Sequence, residues 1–520
     1  MDMTDGIFMK KKSIINKNRF NNAFLLIKQC RFRILFHKLK KTLLDFLTHS
    51  KINRANLVSW IHENVQEHFK NSKKIPVDEI DIIIPVYNGY EYFDGLFRTL
   101  PKTEIPFRLL IIDDKSTDER VASFLDKIEQ HFENAVLLSN NENLGFIKSV
   151  NRALLLARNH TVLINTDVEL PEKWLERLIM PFYTDPLIAS ATPFTNSGTI
   201  CSFPKINEDN DLPAGLTLNE IDAAFQTVKP IYYSVPSGVG FCMAMNINVI
   251  KKIGVFDDRT FGRGYGEEND WCQRAIKAGY KNVIVENLFV WHKHGGSFSN
   301  AEKIDLLKRN LDLLGKKHPK YHVDVIKTFE RKPHYEQRAY LLMILRQNLA
   351  GKIICYFDHN LGGGANIYLD RVISHRNSES IYLIRYDHEE GEYYLNLYLG
   401  EYTGEFKFET IDEIQVFINC AGIKEIIINN LVSYPDIFNT MKIILKLKEE
   451  NNIKLRMLIH DYFPVCPVYY LLDHNNEYCG FSEFKNCSSC LRKNGNVKKV
   501  YYHNEEISVW RSKWSVFIKE

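Results

Sequence analysis

Ile80-Asp81-Ile82-Ile83-Ile84-Pro85-Val86 is an apolar run with almost no alternation. A strand with one wet face alternates, whereas a strand buried on both faces of a parallel sheet does not. Similar runs recur at Leu109–Ile112, Ala135–Leu138 and Thr161–Ile164, with helical patterns between them at Tyr92–Leu100, Glu119–His131 and Phe146–Ala157. Strand–helix alternation at that spacing predicts an α/β fold with a mostly parallel sheet. Ligands of such sheets bind beyond the carboxyl ends of the strands.

Polar residues gather at those ends. The first strand closes in Pro85-Val86-Tyr87-Asn88 and the second in Asp113-Asp114-Lys115-Ser116-Thr117-Asp118. A later turn reads Asn143-Leu144-Gly145-Phe146, and the fourth strand closes in Asn165-Thr166-Asp167. Any one of these reads as ordinary turn and N-cap chemistry. Four at one sheet edge predict a shared ligand cleft. Asp167, two positions after the polar Asn165, can hold a divalent cation through oxygen. A cation there would neutralise a departing diphosphate. Asp113 and Asp114, one strand away, suit hydrogen bonds from a base or ribose.

Gly264-Tyr265-Gly266-Glu267-Glu268-Asn269-Asp270-Trp271 packs three carboxylates into four residues. Acids held that close repel, so one should hold its proton more tightly, which is how a general base is built. The other reading is a solvated helix start, where the helix dipole favours acids. Both stand on this stretch alone.

At 520 residues the chain predicts two or three domains. The net charge of +3 hides a basic start, with 16 Lys/Arg against 5 Asp/Glu in residues 1–75 and a net acidic remainder. That balance argues against a nucleic-acid partner, whose basic footprint would lie on the folded domains. No apolar run is long enough to cross a bilayer, and the N-terminus lacks the features of a signal peptide. These features predict a cytoplasmic protein. Residues 18–48 mix apolar residues with Lys and Arg, as expected either of a peripheral segment on an anionic membrane or of a helical extension packed on its neighbour.

Taken together, Pro-Val-Tyr-Asn, Asp-Asp-x-Ser-Thr-Asp, Asn-x-Gly-Phe, Asn-Thr-Asp and Gly-Tyr-Gly-Glu-Glu-Asn-Asp-Trp resemble a family 2 glycosyltransferase with the GT-A fold, over about residues 78–300. The resemblance implies a nucleoside-diphosphate sugar donor, a divalent cation (Mn or Mg) and a single inverting displacement. It sets Pro85, Tyr87 and Asp114 against the nucleobase, with Asp113 beside them, and adds Asn88, Asn143, Gly145, Lys148 and Gly238 to the substrate-binding set. Asn165 and Asp167 take the Asp-x-Asp position, so metal binding would lean on Asp167, with His292 as a further ligand. A lone histidine in the stretch Val290–Phe298 is otherwise more often structural, and Lys293 or His294 are alternative phosphate contacts. Glu268 matches the base, Asp270 is the reserve, and Glu267 an orienting or acceptor-contacting neighbour. The stretches Thr192–Phe203, Pro213-Ala214-Gly215 and Pro236–Cys242 resemble members assigned to bacterial surface-polysaccharide assembly, implying a glycan or lipid-linked glycan acceptor. Residues 196–235 show little periodicity and are expected to form a mobile acceptor loop. Residues 301–349 are expected to be a helical extension or linker, packed back on the first domain or bridging to the next one.

A second α/β pattern starts at Lys352-Ile353-Ile354-Cys355-Tyr356-Phe357 and runs into Gly362-Gly363-Gly364 and a helix through Leu369–Ile373. Further strands are expected at Ile381–Ile384, Glu425–Ile428 and Leu455–His460. With His460-Asp461-Tyr462-Phe463-Pro464 this piece resembles the N-terminal, Rossmann-like half of a family 4 GT-B glycosyltransferase. Since the chain stops at Glu520, that half is not expected to be catalytic alone. Cys466, Cys479, Cys487 and Cys490 fit either a closed structural zinc site or buried free thiols. The competing overall reading is a non-catalytic glycan-binding or assembly scaffold, which has no need to keep both Asp167 and the acidic cluster.

Overall fold

The computed structural model describes residues 79–520 apart from 212–215, 229–231, 294–299, 331–334, 349–350, 377–378, 400–401, 481–486, 496 and 498–505. The basic segment 18–48, Pro213-Ala214-Gly215 and His294 therefore lie outside the described residues.

The apolar run forms β1 (Ile80–Val86), followed by α1 (Tyr90–Thr99), β2 (Phe107–Asp113), α2 (Glu119–His131), β3 (Ala135–Ser139), α3 (Phe146–Leu154) and β4 (Thr161–Ile164). β1 lies between β2 and β4, parallel to both, with Ile82 opposite Leu109 on one side and Val162 on the other. The one charge in the run, Asp81, is buried and accepts from Arg108 Nε at 2.7 Å and from the backbone N–H groups of Arg158 and Asn159. Those partners explain how a carboxylate fits a two-sided core strand.

The chain continues through β5 (Val168–Glu169), α4 (Trp174–Thr184), β6 (Ile188–Thr195), α5 (Leu218–Gln226), β7 (Ser234–Val235), β8 (Cys242–Met245), α6 (Ile247–Ile253), α7 (Asp258–Phe261), α8 (Glu267–Lys277) and β9 (Lys281–His292). The sheet order is β3-β2-β1-β4-β8-β6-β9-β5, with β7 also on β9. β8 runs antiparallel to both β4 and β6, so the sheet is mixed rather than wholly parallel. Cys242 lies opposite Ile164 and Met245 opposite Thr161, so the residues just before β8 stand at the carboxyl end of β4. The segment 196–235 is not irregular throughout. It carries α5, started by a Thr217–Glu220 capping box, and it buries Ile200, Cys201 and Phe203.

Three helices follow: α9 (Asn300–Lys317), α10 (Tyr321–Glu330) and α11 (Tyr335–Asn348). α11 is packed in place by Arg338, which donates to the carbonyls of Ser202, Pro204 and Ile200 and lies over the Phe194 ring. Its Leu341, Met343 and Leu345 are buried in a core continuous with both sheets.

The second sheet is built from β10 (Ile353–Phe357), α12 (Gly364–Ser374), β11 (Ser380–Asp387), β12 (Glu392–Leu399), β13 (Tyr402–Phe408), α13 (Ile411–Cys420), β14 (Glu425–Ile428), α14 (Ile437–Asn451) and β15 (Lys454–Met457). Its order is β13-β12-β11-β10-β14-β15. The four strands from β11 to β15 are parallel, and β12 and β13 add an antiparallel hairpin that the sequence reading did not anticipate. The short α15 (Cys487–Lys493) and the tryptophan-bearing α16 (Ile507–Lys519) complete the chain. Among the described residues no helix is long and apolar enough to cross a membrane.

Candidate active site

The carboxyl ends of β1, β2 and β4 and the start of α8 carry the anticipated residues, but several of them serve the scaffold. Asn88 sits at φ 55° and accepts through Oδ1 from Thr117 N at 2.8 Å and Asp118 N at 3.0 Å, while its own N–H donates to Ser116 Oγ. It ties the first strand end to the loop after β2. Asp113 is half-buried and accepts from Ser116 N at 3.0 Å. Asp114 is buried and accepts from Asn140 Nδ2 and Leu144 N at 2.7 Å and from Gly145 N at 2.8 Å. Its two oxygens thus hold the loop after β3. Pro85 and Tyr87 remain half-exposed at the edge, and Lys148 is exposed on α3.

The loop after β3 reaches across to the acidic stretch. Asn143 Oδ1 accepts from Arg263 Nη2 at 2.5 Å. Gly145, at φ 85°, lies so close that a Cβ there would stand 3.2 Å from Arg263 Cα. Neither contact was legible in the sequence, because 120 residues separate Asn143 from Arg263.

At the end of β4, Asn165 N donates to Phe241 O at 2.8 Å. The short β5 pairs Val168 with His292 of β9, and Lys293 N donates to Asp167 O at 2.9 Å. This pairing brings Asp167 Oδ1 to 3.3 Å from His292 Nε2. His292 Nδ1 lies 3.1 Å from the carbonyl of Ser197, and its ring stacks on Phe241 with centroids 5.0 Å apart. A carbonyl only accepts, so Nδ1 carries the proton and Nε2 turns a lone pair, or a second proton, toward the carboxylate. Two facing acceptors at that distance need a proton or a cation between them. The donor set is therefore one that fits a divalent cation, with the second nitrogen oriented by a backbone partner. Among the described residues no three His, Cys, Asp or Glu side chains form a metal-holding group, so any further ligands are not side chains of that kind there. Lys293 is taken up by Glu169, with Nζ–Oε1 at 2.5 Å.

The acidic stretch opens α8. Glu268 is half-buried, and its side chain runs past Gly240, where a Cβ would stand 3.9 Å from Glu268 Cγ. Gly240 precedes Phe241, the ring stacked on His292, so the acid and the Asp167–His292 pair flank one short segment. Burial raises the Glu268 carboxyl above its ordinary value, against hydrogen bonds from backbone N–H groups and Asn269 that lower it. Glu267 is buried, its Oε2 has no hydrogen-bond partner, and burial with the neighbouring Glu268 charge raises it well above the ordinary range.

Asp270 differs. Its carboxylate is fully buried and meets His318 Nε2 at 2.7 Å, Lys317 Nζ at 2.8 Å and Arg274 Nε at 2.8 Å. Burial works against its charge, but the His318, Lys317 and Arg274 bonds outweigh it and hold the carboxyl below its ordinary value. A carboxylate so engaged is a poor proton acceptor. Lys317 ends α9 and His318 follows it, in the segment expected to be a helical extension or linker, and here it packs back on the first domain. Asn310, in the middle of α9, donates through Nδ2 to Phe261 O at 2.9 Å and Gly264 O at 2.7 Å. No local signal marked these residues.

Gly238 is a packing glycine. Its N–H donates to Cys272 Sγ at 3.2 Å, and a Cβ would stand 3.0 Å from both Met243 Sδ and Thr192 Oγ1. The C-terminal cysteines 466, 479, 487 and 490 are free and half-buried. Burial, with the other three thiols adding, pushes the Cys466 thiol up to about 11. Of the two readings of these cysteines, the zinc site is not supported: among the described residues no group of three or more His, Cys, Asp or Glu could hold a metal ion.

Residues 81–254 match the family model described as Glycosyl transferase family 2, about a third of the chain and ending before the acidic stretch. An uncharacterized glycosyltransferase of Haemophilus influenzae is 22% identical over 230 residues, covering 43% of this chain and 68% of that protein. Among solved structures, the mannosyltransferase PcManGT from Pyrobaculum calidifontis, in complex with GDP-Man and Mn2+, is 12% identical over 61% of this chain and 87% of its own, with a TM-score of 0.36. GalNAc-T7 with UDP, GalNAc and Mn2+ is 15% identical with a TM-score of 0.35, covering 48% of this chain and 52%, about half, of that one. On the family-model match and the curated relative, the chain is a glycosyltransferase.

Proposed function

We propose that this protein transfers a sugar from a nucleoside diphosphate to a hydroxyl of a glycan or lipid-linked glycan, inverting the anomeric carbon, in bacterial surface-polysaccharide synthesis. The observation that carries the reading is the meeting of Asp167 and His292 at 3.3 Å, one segment away from a half-buried, proton-retaining Glu268. Asp167 Oδ1 and His292 Nε2 would hold the divalent cation. When bound, that ion stabilises charge building on the departing diphosphate. Glu268 takes the acceptor hydroxyl's proton as the oxygen attacks, and burial keeps its basicity above that of an ordinary carboxylate. Tyr87 and Asp113, half-exposed at the strand ends, would receive the nucleobase and ribose.

Glu267, buried with an orphaned oxygen and raised well above the ordinary range by burial and the Glu268 charge, stands beside the base as an orienting neighbour. In this reading the first sheet carries the chemistry, residues 78–300 form the catalytic domain, and residues 350–520 form a GT-B-like half that handles acceptor or assembly. The enzyme works in the cytoplasm, with 18–48 resting on the inner face of the membrane.

The test is incubation of the full chain with a panel of nucleotide sugars and acceptors, with and without Mn2+, reading nucleoside diphosphate release. Release that needs the cation and disappears in Asp167→Asn is expected. Silence across the panel with acceptor present would sink the reading.

A further inference from the structure

The loop between α7 and α8 holds an uncommon backbone. Gly262 lies at φ 71°, Gly264 at 153°, Tyr265 at 68° and Gly266 at 102°. Positive φ is costly for tyrosine, and glycine sheds much conformational freedom when ordered, so such a loop keeps one shape only if its surroundings impose it. The base-bearing helix begins at its last residue, which makes the loop's shape the position of Glu268.

Two sets of contacts impose that shape. From behind, Asn310 of α9 bonds the carbonyls of Phe261 and Gly264. From the nucleotide side, Asn143 accepts from Arg263, and Gly145 lets the Arg263 backbone approach to a distance that a side chain would crowd. The nucleotide-side contact is itself anchored, because Asp114 holds the backbone of Leu144 and Gly145. Asp114 in turn follows Asp113, at the strand end that would receive the donor.

We propose that Arg263 and Asn143 form a latch that positions Glu268, coupling the donor-side loop to the base. Arg263 is a positioning residue. It is exposed, its side chain bonds the loop after β3, and it acts on the reaction through the loop it belongs to. The inference rests on Glu268 being the base, as read above, but its structural half does not need turnover to be tested.

The experiment combines a double-mutant cycle with amide exchange on the full chain. Arg263→Ala and Asn143→Ala should each lower kcat about tenfold, equivalent to about 1.4 kcal/mol, with the donor KM within about twofold. Arg263→Ala/Asn143→Ala should be no worse than either single variant, since one interaction cannot be lost twice. Arg263→Lys, which keeps a cationic donor for Asn143 Oδ1, should recover most of the kcat lost in Arg263→Ala. Hydrogen–deuterium exchange of residues 262–269 should speed up in both alanine variants and less in Arg263→Lys. Losses that multiply in the double variant, a raised KM with unchanged kcat, or unchanged exchange across 262–269 would each overturn the latch. If the wild-type chain turns over no donor, the base assignment fails, while the exchange data still decide the latch.

Discussion

Replacing Asp270 with asparagine separates a structural acid from a catalytic one. The side chain is fully buried, and three cationic or potentially cationic groups lie within 2.8 Å of it. Breaking a buried ion pair by removing one partner costs about 3–5 kcal/mol. Here two of the three keep other acceptors. Lys317 retains Asp257 at 2.6 Å, and Arg274 retains the carbonyls of Ile253 and Val255 at 2.6 and 2.7 Å. Both are also partly solvated, so about 2–3 kcal/mol is the expected loss. For a unit of this size that lowers Tm by roughly 5–10 °C. The sign with pH follows from the lowered carboxyl: its contribution is complete above the ordinary value of 3.8 and is lost as pH falls through the folded-state value. The Tm deficit of Asp270→Asn should therefore be flat around neutrality and shrink in acid. Thermal melts at neutral and acid pH, with kcat taken well below the melt, check both points. A variant with wild-type Tm and abolished kcat would refute this reasoning and make Asp270 the base.

Glu268→Gln should lower kcat by about 10²–10⁴-fold while calorimetry shows nucleoside diphosphate binding with Mn2+ unchanged; equal loss of binding would show that the residue serves the donor. Because burial raises the Glu268 carboxyl, kcat should climb with pH along an acid limb above the ordinary value of 4.5, and that limb should vanish in Glu268→Gln. A limb at or below 4.5 would show a base that is not perturbed. His292→Ala should raise the Mn2+ concentration needed for half-maximal rate by about 10–100-fold with the protein still folded, and an unchanged metal requirement would remove His292 from the ligand set. Gly145→Ala meets both a positive φ of 85° and the Arg263 backbone at 3.2 Å, so chemical denaturation should show a loss of about 1–3 kcal/mol. A neutral result would mean that the two loops separate freely.

Local pattern determined most of the first sheet. The run Ile80–Val86, the strand Thr161–Ile164 and the helix Glu119–His131 follow from burial periodicity and an Asp118 cap, and the structure forms all three with those bounds. The strand ends with their Asn and Asp residues were legible for the same reason, since turn chemistry is written in adjacent residues. The hairpin β12–β13 and the antiparallel β8 were not, because strand direction is decided by partners distant in sequence. The candidate site divides in the same way. Which residues are acidic, and that three of them crowd the start of α8, is a property of the chain. Arg274 reaches Asp270 one turn along α8, but that Lys317 and His318 also neutralise it depends on where α9 packs, and the raised Glu268 carboxyl depends on its burial in the fold. That Asp114 braces a loop, that Asn143 grips Arg263 and that Asp167 faces His292 across a two-residue β5 are likewise tertiary facts. Side-chain type is encoded locally, but charge state and reach are set by neighbours that only folding brings within a few ångströms.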